Sequence, residues 1–375
     1  MIHRLFFGGI VLSTLIILGC GGKRQRMEHR ATSPDTLVDA AGRTVVIPPR
    51  VSRVVSPFTM YTRLIVAMDG CEKLTGISHS CILPEEERGC GGKLLTFTDV
   101  GEFGMNIELI ASLKPDLIFA SQPDVASFAS KTDAAVVAVS FPSDMPMLEM
   151  FDRQIDLVGK AMRLREGAED LKRFIAETMR PVVSVTSSLP DSARPKVYFA
   201  WTSWTGDILN TLYKFDPIEL AGGINVAGEA KNFAKNMVNH PKSSSKREHG
   251  ILVSREHIIK WNPDFIFLSR FQKQAWQKGG TELLSVTINE VLADPLMQTV
   301  NAVKNHRIYY TTASCNWWPH QRALVQVLYM AKLFHPDLFR DLDVEREGNR
   351  IFKRFYGADG LYTEMARDLE LHTWQ

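Results

Sequence analysis

Two stretches of this chain resemble each other without a gap, and this internal repeat restricts the fold more than any other feature. Residues 108–121 (ELIASLKPDLIFAS) align with residues 256–269 (EHIIKWNPDFIFLS), with identical Glu, Ile, Pro, Asp, Ile, Phe and Ser at matching positions. Each copy predicts a short helix near the Glu, because a carboxylate favours a helix N-terminus. The helix ends before Pro, which disfavours helix in the preceding residue, and a short buried strand follows.

A second and weaker repeat precedes each copy in the same order. Residues 53–62 (RVVSPFTMYT) resemble residues 196–205 (KVYFAWTSWT), in which a basic residue opens an apolar strand and an aromatic-Thr-x-aromatic-Thr pattern ends it. The two repeats predict two similar α/β lobes, the alternative being chance similarity among short loops. Ligands of parallel sheets bind beyond the carboxyl ends of the strands, so the residues at the strand ends are the candidate binding residues.

The segment between the repeats predicts a helix. Residues 147–179 carry apolar side chains at helical spacing, with charged residues between them and no proline. We therefore expect one long connecting helix, with Gly167 as the candidate position for a break. The expected organisation is an N-terminal lobe over residues 39–146, a connecting helix over 147–180 and a C-terminal lobe over 181–375.

The first residues have the features of an export signal. His3 and Arg4 precede an apolar run, residues 5–18, which is shorter than the about 20 residues that span a bilayer. Residues 17–20 (ILGC) resemble a bacterial lipobox, which predicts lipidation of Cys20; a plain signal peptide is the alternative. We expect a signal peptide over 1–19, a flexible tether over 20–38, and an exported protein held at the membrane by its lipid.

Composition and motifs exclude several functional classes. The formal charge is only +2 over 375 residues, which gives no electrostatic case for a nucleic-acid partner. The chain contains no phosphate-binding P-loop, no zinc-protease helix motif and no nucleophile elbow. We therefore expect a monomer that is not an enzyme and has no cofactor of its own.

Export gives meaning to the cysteines, because an oxidising compartment permits disulfides. Cys81 and Cys90 bracket a polar loop that a disulfide between them would close. Alternatively, His79 together with these two cysteines could supply three zinc ligands. No second Cys/His pair follows at a finger-like spacing, so the disulfide or free thiols are favoured.

A series of short motifs follows the tether in order along nearly all of the mature chain. The motifs lie at residues 39–46, 53–55, 104–108, 113–118, 221–226, 253–256, 262–264, 335–339 and 355–357. The series resembles the substrate-binding lipoproteins of ABC importers for ferric siderophores, haem and cobalamin. This resemblance implies two Rossmann-like α/β lobes with parallel sheets joined by a single long helix. It also implies a cargo site between the lobes and partnership with permease and ATPase subunits.

The resemblance assigns a role to the two repeated glutamates. Members of the family dock on the permease through one Glu on each lobe, and Glu108 and Glu256 stand at those positions. Charged contacts of this kind determine register and choice of partner more than affinity. The alternative is that both residues only favour helix starts.

The strand-end rule selects the candidate cargo-binding residues. They are Phe58, Met60, Tyr61, Arg63 and Gln122 from the first lobe, and Trp201, Trp204, Arg270, Trp317, Trp318 and His320 from the second. The aromatic residues suit a flat or apolar ligand, and the arginines suit an anionic group on it. Met60, Tyr61 and His320 are candidate axial ligands for haem. Alternatively, the Trp317–Trp318 pair fills the lobe interface and His320 only starts a helix.

These observations predict a protein that captures an iron(III)-siderophore-type chelate between its lobes and delivers it to an ABC permease. A cobalamin or haem carrier of the same family is the first alternative. A metal-cluster or cofactor-binding enzyme is an alternative from another class. It would require several Cys or His residues at the cleft, where only Cys315 and His320 are expected.

Overall fold

A computed structural model describes residues 35–374, except for residues 81, 102–104, 142–144, 203–205, 231–249, 271–285 and 313–318. Over these ranges, no helix is both long enough and apolar enough to cross a membrane. Cys20 therefore lies outside the described residues, as do Cys81, Trp204, Trp317 and Trp318.

The N-terminal lobe is built on a parallel sheet with the strand order β5-β4-β3-β6-β7, preceded by the antiparallel hairpin β1–β2. The strands are β1 Thr36–Val38, β2 Thr44–Val46, β3 Val54–Ser56, β4 Leu74–Ile77, β5 Thr98–Asp99, β6 Leu117–Ala120 and β7 Ala135–Ala138. Its helices are α1 Thr59–Ala67, α2 Gly89–Gly92, α3 Ile107–Ser112 and α4 Val125–Lys131. Every residue of β3 and β6 is buried, as expected for strands covered on both faces.

The C-terminal lobe contains a mixed sheet with the order β11-β9-β8-β12-β13, in which β10 also pairs with β8. The strands are β8 Lys196–Ala200, β9 Asn210–Leu212, β10 Ile224–Asn225, β11 Gly250–Leu252, β12 Phe265–Leu268 and β13 Ile308–Tyr310. The helices of this lobe are α7 Asp216–Leu220, α8 Arg255–Trp261, α9 Ile288–Ala293, α10 Asn301–Lys304, α11 His320–Phe334, α12 Val344–Tyr356 and α13 Leu361–Asp368. Strands β8, β12 and β13 are parallel, whereas β9 and β11 are antiparallel to their neighbours.

The connection between the lobes is a helical hairpin, α5 Met147–Met162 and α6 Arg165–Thr186, so the prediction of one helix over residues 147–180 is wrong. The break falls at Arg163, whose φ of 59° is left-handed, and not at Gly167. Its guanidinium donates to Asp35 and to the Pro48 carbonyl, both at 2.8 Å, which holds it in that turn. The long helix is α6, whose 22 residues span about 33 Å.

The two helices of the hairpin pack closely because small residues face each other. A Cβ added at Gly159 would lie 2.5 Å from the Cβ of Ala168, so only glycine permits this approach. Lys172 of α6 crosses to Asp156 of α5 at 2.6 Å. Helix α6 continues past the predicted boundary, with Pro181 inside it.

The sequence repeat is a structural repeat. In each lobe the Pro-Asp step joins a short helix to a buried strand, α3 to β6 and α8 to β12. The Asp116 backbone N–H donates to the Arg53 carbonyl at 2.7 Å, and the Asp264 N–H donates to the Lys196 carbonyl at 2.7 Å. Both carboxylates accept a hydrogen bond at 2.9 Å from the backbone N–H of the same partner residue. The aspartate therefore fixes the start of the neighbouring parallel strand, β3 or β8, in both lobes.

The upstream repeat diverges after its strand. In the first lobe β3 leads into α1, whereas β8 leads to the antiparallel partner β9. The predicted tether over residues 20–38 is too long at its C-terminal end, because Thr36–Val38 forms β1 and pairs with β2. The alternating burial of this short strand gave too little signal to distinguish it from a linker.

The disulfide joins Cys71 to Cys90, with a Cα–Cα distance of 5.6 Å, so the predicted Cys81–Cys90 pair is wrong. The loop after β4 returns along α1, and Gly89 comes to lie beside Val66 near the end of that helix. Cys90 therefore meets Cys71, which follows α1, and not its nearer neighbour in sequence. The zinc set of His79, Cys81 and Cys90 is also wrong, because the Cys90 sulfur is already bonded.

We expect Asp116→Ala to lower the free energy of unfolding by about 2–3 kcal/mol. The change leaves the Ser52 and Arg53 backbone N–H groups and the Ser52 hydroxyl without their shared acceptor. Asp264→Ala should act in the same direction, since it has the equivalent role. Chemical denaturation measures both. The exposed Asp133→Ala is the control, and equal stability of all three variants would contradict the role of the repeated aspartates.

Candidate functional site

The carboxyl ends of the buried strands bring five of the predicted cargo-binding residues to accessible positions. Phe58 and Met60 follow β3, Trp201 follows β8 and Arg270 follows β12, and all four are partly buried. Gln122, two residues beyond β6, is exposed. Partly exposed aromatic side chains at strand ends are suited to contact a ligand body, because they bury large apolar area on binding.

Arg270 is the cation among these five residues. Its guanidinium lies 4.7 Å from the centre of the Tyr310 ring, and Nη2 donates to the Glu370 carboxylate at 3.1 Å. About 26% of its side chain remains exposed. Arg270 is therefore oriented by its neighbours while still accessible to an anionic group of a ligand.

Tyr61 and Arg63 are not accessible, so the prediction that they face the cleft is wrong. Helix α1 begins at Thr59, four residues before the predicted start, and this places both side chains on buried helical faces. Tyr61 is 1% exposed, its hydroxyl donates to the Val139 carbonyl, and burial raises its pKa. Arg63 is 2% exposed and makes two hydrogen bonds to the Glu86 carboxylate.

His320 is the first residue of α11, as the helix-start interpretation expected, but it is fully buried. Its Nε2 lies 2.8 Å from Oε1 of Gln154 on α5, and its ring packs 4.5 Å from the ring of Phe151. Burial, reinforced by the positive charge of Arg63, lowers the pKa of His320 to about 3. The imidazole is therefore neutral and joins the C-terminal lobe to the connecting hairpin.

Next to His320 lies a set of charged residues that the sequence did not reveal. We call Arg63, Glu85, Glu86 and Arg322 the interlobe ionic cluster. Arg322 of α11 donates to the two oxygens of Glu85 at 2.7 and 2.9 Å. All four side chains are buried.

The interlobe ionic cluster satisfies its charges internally, as buried ions require. Tyr356 of α12 donates from its hydroxyl to Glu86 at 3.0 Å, and the Leu83 backbone N–H donates to the same carboxylate. Burial raises the pKa of Glu85, and the adjacent Glu86 adds to this, whereas Arg322 opposes it. In the sequence, Glu85 and Glu86 indicated only a polar loop, since nothing in their spacing marks a buried partner.

The two repeated glutamates occupy equivalent exposed positions. Glu108 and Glu256 are the second residues of α3 and α8, which each lead through Pro-Asp into a central strand. Glu108 accepts a hydrogen bond from Lys131 at 2.6 Å, which lowers its pKa, while 76% of its side chain stays exposed. A hydrogen bond from Ser254 lowers the pKa of Glu256. Both carboxylates are therefore ionised and accessible on corresponding corners of the two lobes.

The described residues contain no group of three or more His, Cys, Asp and Glu side chains placed to hold a metal ion. The cargo candidates Trp204, Trp317 and Trp318 lie outside these residues and stay predictions. The candidate site of the described chain thus consists of the strand-end residues, with the buried seam of His320 and the interlobe ionic cluster beside it.

The two-lobed architecture agrees with a family comparison. The family model described as periplasmic binding protein matches residues 54–315, from β3 in the first lobe to beyond β13 in the second. The chain belongs to this family. The resemblance inferred from the motif series is thereby confirmed at the level of the family.

Individual relatives are distant but cover most of the chain. YvrC of Bacillus subtilis, an ABC transporter substrate-binding lipoprotein, is 20% identical over 89% of this chain and 98% of its own. The molybdate-binding protein MolA of Haemophilus influenzae is 20% identical over 88% of this chain and 93% of its own.

Solved structures show the same fold. The structure of MolA bound to molybdate has a TM-score of 0.65 at 18% identity, covering 86% of this chain and 98% of MolA. The structure of Helicobacter pylori CeuE with nickel and histidine has a TM-score of 0.62 at 17% identity, covering 90% and 99%. Similarity at these identities establishes the fold.

We expect His320 to make the family member less stable as the pH falls from about 6.5 towards about 3. Over this window the unfolded state binds a proton that the folded state excludes, because the folded-state pKa is depressed. The free energy of unfolding should therefore fall by up to about 1.4 kcal/mol per pH unit. Denaturation between pH 7.5 and 4.5 should give a shallower slope for His320→Gln.

The matched control is the exposed His306→Asn, which should keep the slope of the unmodified protein. Parallel stability curves for His320→Gln and the unmodified protein would contradict the buried neutral imidazole.

Proposed function

We propose that this protein is an extracytoplasmic solute-binding lipoprotein of an ABC importer. In this proposal it captures an iron(III)-siderophore-type chelate between its lobes and delivers it to the permease, while partner subunits hydrolyse ATP. The observation that carries the proposal is the family match over residues 54–315, which includes strands of both lobes. The description of the relative YvrC as an ABC transporter substrate-binding lipoprotein supports the importer assignment.

A metal-containing cargo is supported by the similar proteins. MolA is described with molybdate and CeuE with nickel and histidine, two unrelated metal-containing ligands on one fold. The accessible strand ends offer Phe58 and Trp201 as apolar contacts and Arg270 as a cation. Arg63 and Arg322 are neutralised by Glu86 and Glu85. This balance favours an organic chelate with modest negative charge over a small bare oxyanion.

Haem or cobalamin remains the second candidate, supported by the aromatic residues at the strand ends. Its axial coordination finds less support, because the Tyr61 hydroxyl is engaged by Val139 and the His320 Nε2 by Gln154. Met60 is partly buried, and its sulfur lies 3.7 Å from the Gln154 amide nitrogen. A siderophore-type chelate carries its own ligands and does not depend on these side chains.

The membrane anchor is part of the proposal and rests on the lipobox-like residues before Cys20. YvrC, which aligns with 89% of this chain, is described as a lipoprotein. Metabolic labelling with a radioactive fatty acid tests it, and an unlabelled mature protein would contradict it.

We expect purified protein to bind a ferric siderophore with quenching of tryptophan fluorescence, in titrations that also include haem, cobalamin, molybdate and nickel–histidine. Trp201→Ala should weaken binding of the accepted cargo by about 1–3 kcal/mol, because the ring contacts it. Tyr61→Phe is the control and should bind unchanged, since its hydroxyl serves only the core. Binding of molybdate alone, or a Soret band with haem alone, would replace the siderophore assignment.

We expect Glu108→Ala/Glu256→Ala to abolish uptake of the cargo by intact cells while leaving the affinity of the purified protein unchanged. Both carboxylates are exposed, so their loss removes contacts to a basic partner and leaves the fold intact. Glu166→Ala/Glu229→Ala, which removes two exposed glutamates outside the repeat, should transport normally. Normal uptake by the Glu108/Glu256 variant would refute the docking role.

A further inference from the structure

The segment of residues 82–90, which we call the latch loop, belongs to the N-terminal lobe but bonds mainly to helices of the C-terminal lobe. Glu85 binds Arg322 of α11, Glu86 binds Tyr356 of α12, and Arg88 binds Glu364 of α13 at 2.8 Å. These contacts link residues separated by more than two hundred positions in the chain. The latch loop therefore crosses from one lobe to the other.

The latch loop also holds its own lobe. Glu86 makes two hydrogen bonds to Arg63 of α1, the helix whose first turn carries Met60. Gly89 packs between Val66 of α1 and Tyr356 of α12; a Cβ at Gly89 would lie 3.5 Å and 3.6 Å from these side chains. The loop is thus packed between α1 and α12, and its position determines how these two helices meet.

The contacts of the latch loop depend strongly on its position, because they are buried ions. Glu85 and Arg322 are both almost inaccessible to water. Moving one partner away would leave the other charge buried without compensation, which costs several times more than loss of an exposed ion pair. The loop is therefore either fully in place, with all its bonds made, or displaced together with the helices it binds.

The disulfide is the covalent restraint on this loop. Cys90 is the last residue of the latch loop, and its bond to Cys71 fixes that end to the segment after α1. Both cysteines are only partly buried, so a small reductant has access to them. Two-electron reduction by a dithiol breaks the sulfur–sulfur bond and delivers two protons to give two thiols, while the reductant becomes a disulfide.

We propose that the latch loop and the Cys71–Cys90 disulfide form a redox-dependent latch between the two lobes. In the oxidised protein the disulfide keeps the loop in place, and Glu85 holds the start of α11 against the N-terminal lobe. Reduction releases the Cys90 end of the loop, so the carboxylates leave their partners more often and α11 separates more readily from the loop. This proposal concerns the empty protein and is independent of the nature of the cargo.

The test is amide hydrogen exchange of the full mature chain, without cargo, before and after reduction with dithiothreitol. We expect reduction to raise the exchange rates in the first turns of α11 and at the end of α12 by about tenfold or more. Amides of the central strand β12 should keep their rates, which separates release of the latch from general unfolding.

The decisive variant is Glu85→Gln/Arg322→Met, which removes both charges of the pair and leaves neither buried alone. In its oxidised form α11 should already exchange fast, and reduction should add little. Arg255→Met/Asp294→Asn, which removes an ion pair of 2.8 Å elsewhere in the C-terminal lobe, should respond to reduction like the unmodified protein. Cys71→Ser/Cys90→Ser should reproduce the reduced state without reductant.

Unchanged exchange in α11 upon reduction would overturn the proposal, provided that thiol titration shows two new thiols. An equal response to reduction in the Glu85/Arg322 variant would also overturn it, because the disulfide would then act without the latch contacts. Should the Glu85/Arg322 variant fail to fold, Tyr356→Phe removes the Glu86 contact alone and should partly remove the response at the end of α12.

Discussion

The paired aspartates that follow proline are the constraint on which both lobes depend. Asp116 and Asp264 each tie the first residue of one central strand to the residue just before its parallel neighbour. Parallel strands lack a tight turn between them, so their register must be set by other contacts. With the amino ends fixed in this way, the carboxyl ends of β3, β6, β8 and β12 fall at one edge of each sheet. Phe58, Trp201 and Arg270 are accessible because they lie just beyond those ends.

The lobes are held together by two kinds of interaction with different mechanical character. The helical hairpin α5–α6 is a continuous covalent link, whose close approach at Gly159 and Ala168 leaves little room for sliding. The seam beside it is polar: Gln154, His320 and the interlobe ionic cluster bring together α1, α5, α11 and α12. Apolar surfaces tolerate small displacements, whereas buried ions and directional hydrogen bonds tolerate few. The arrangement favours a small number of well-defined relative positions of the two lobes.

Much of the fold could be predicted from the sequence, because its signals are local. The strands β3 and β4 have the predicted bounds, and α12 ends at Gly357, which adopts the left-handed conformation that glycine allows. The repeat indicated the paired lobes because identical Pro-Asp steps impose identical local geometry. The break at Arg163 could not be predicted, since a left-handed arginine is stabilised by Asp35 and Pro48, which are distant in sequence.

The candidate site was predicted less well than the fold, for the same physical reason. A strand-end rule locates an edge but not the direction of each side chain, and starting α1 four residues earlier turned Tyr61 and Arg63 into the interior. Cys71 met Cys90 because the loop after β4 returns along α1, a path that no spacing rule contains. Glu85 and Glu86 have the composition of a solvated loop, and only the tertiary structure shows that each finds a guanidinium.

The interlobe ionic cluster has a consequence for the way this molecule responds to its ionic surroundings. It contains two guanidinium groups and two carboxylates, so its formal charges cancel, and it is shielded from water. Mobile ions screen exposed charges beyond about 8 Å at physiological ionic strength but scarcely reach a neutral buried group. Glu108 and Glu256, in contrast, stand in full contact with the electrolyte. Salt will therefore modulate encounters at the outer corners while leaving the internal geometry of the carrier almost untouched, so that recognition of a partner and shape of the receptacle are governed by separate solvents.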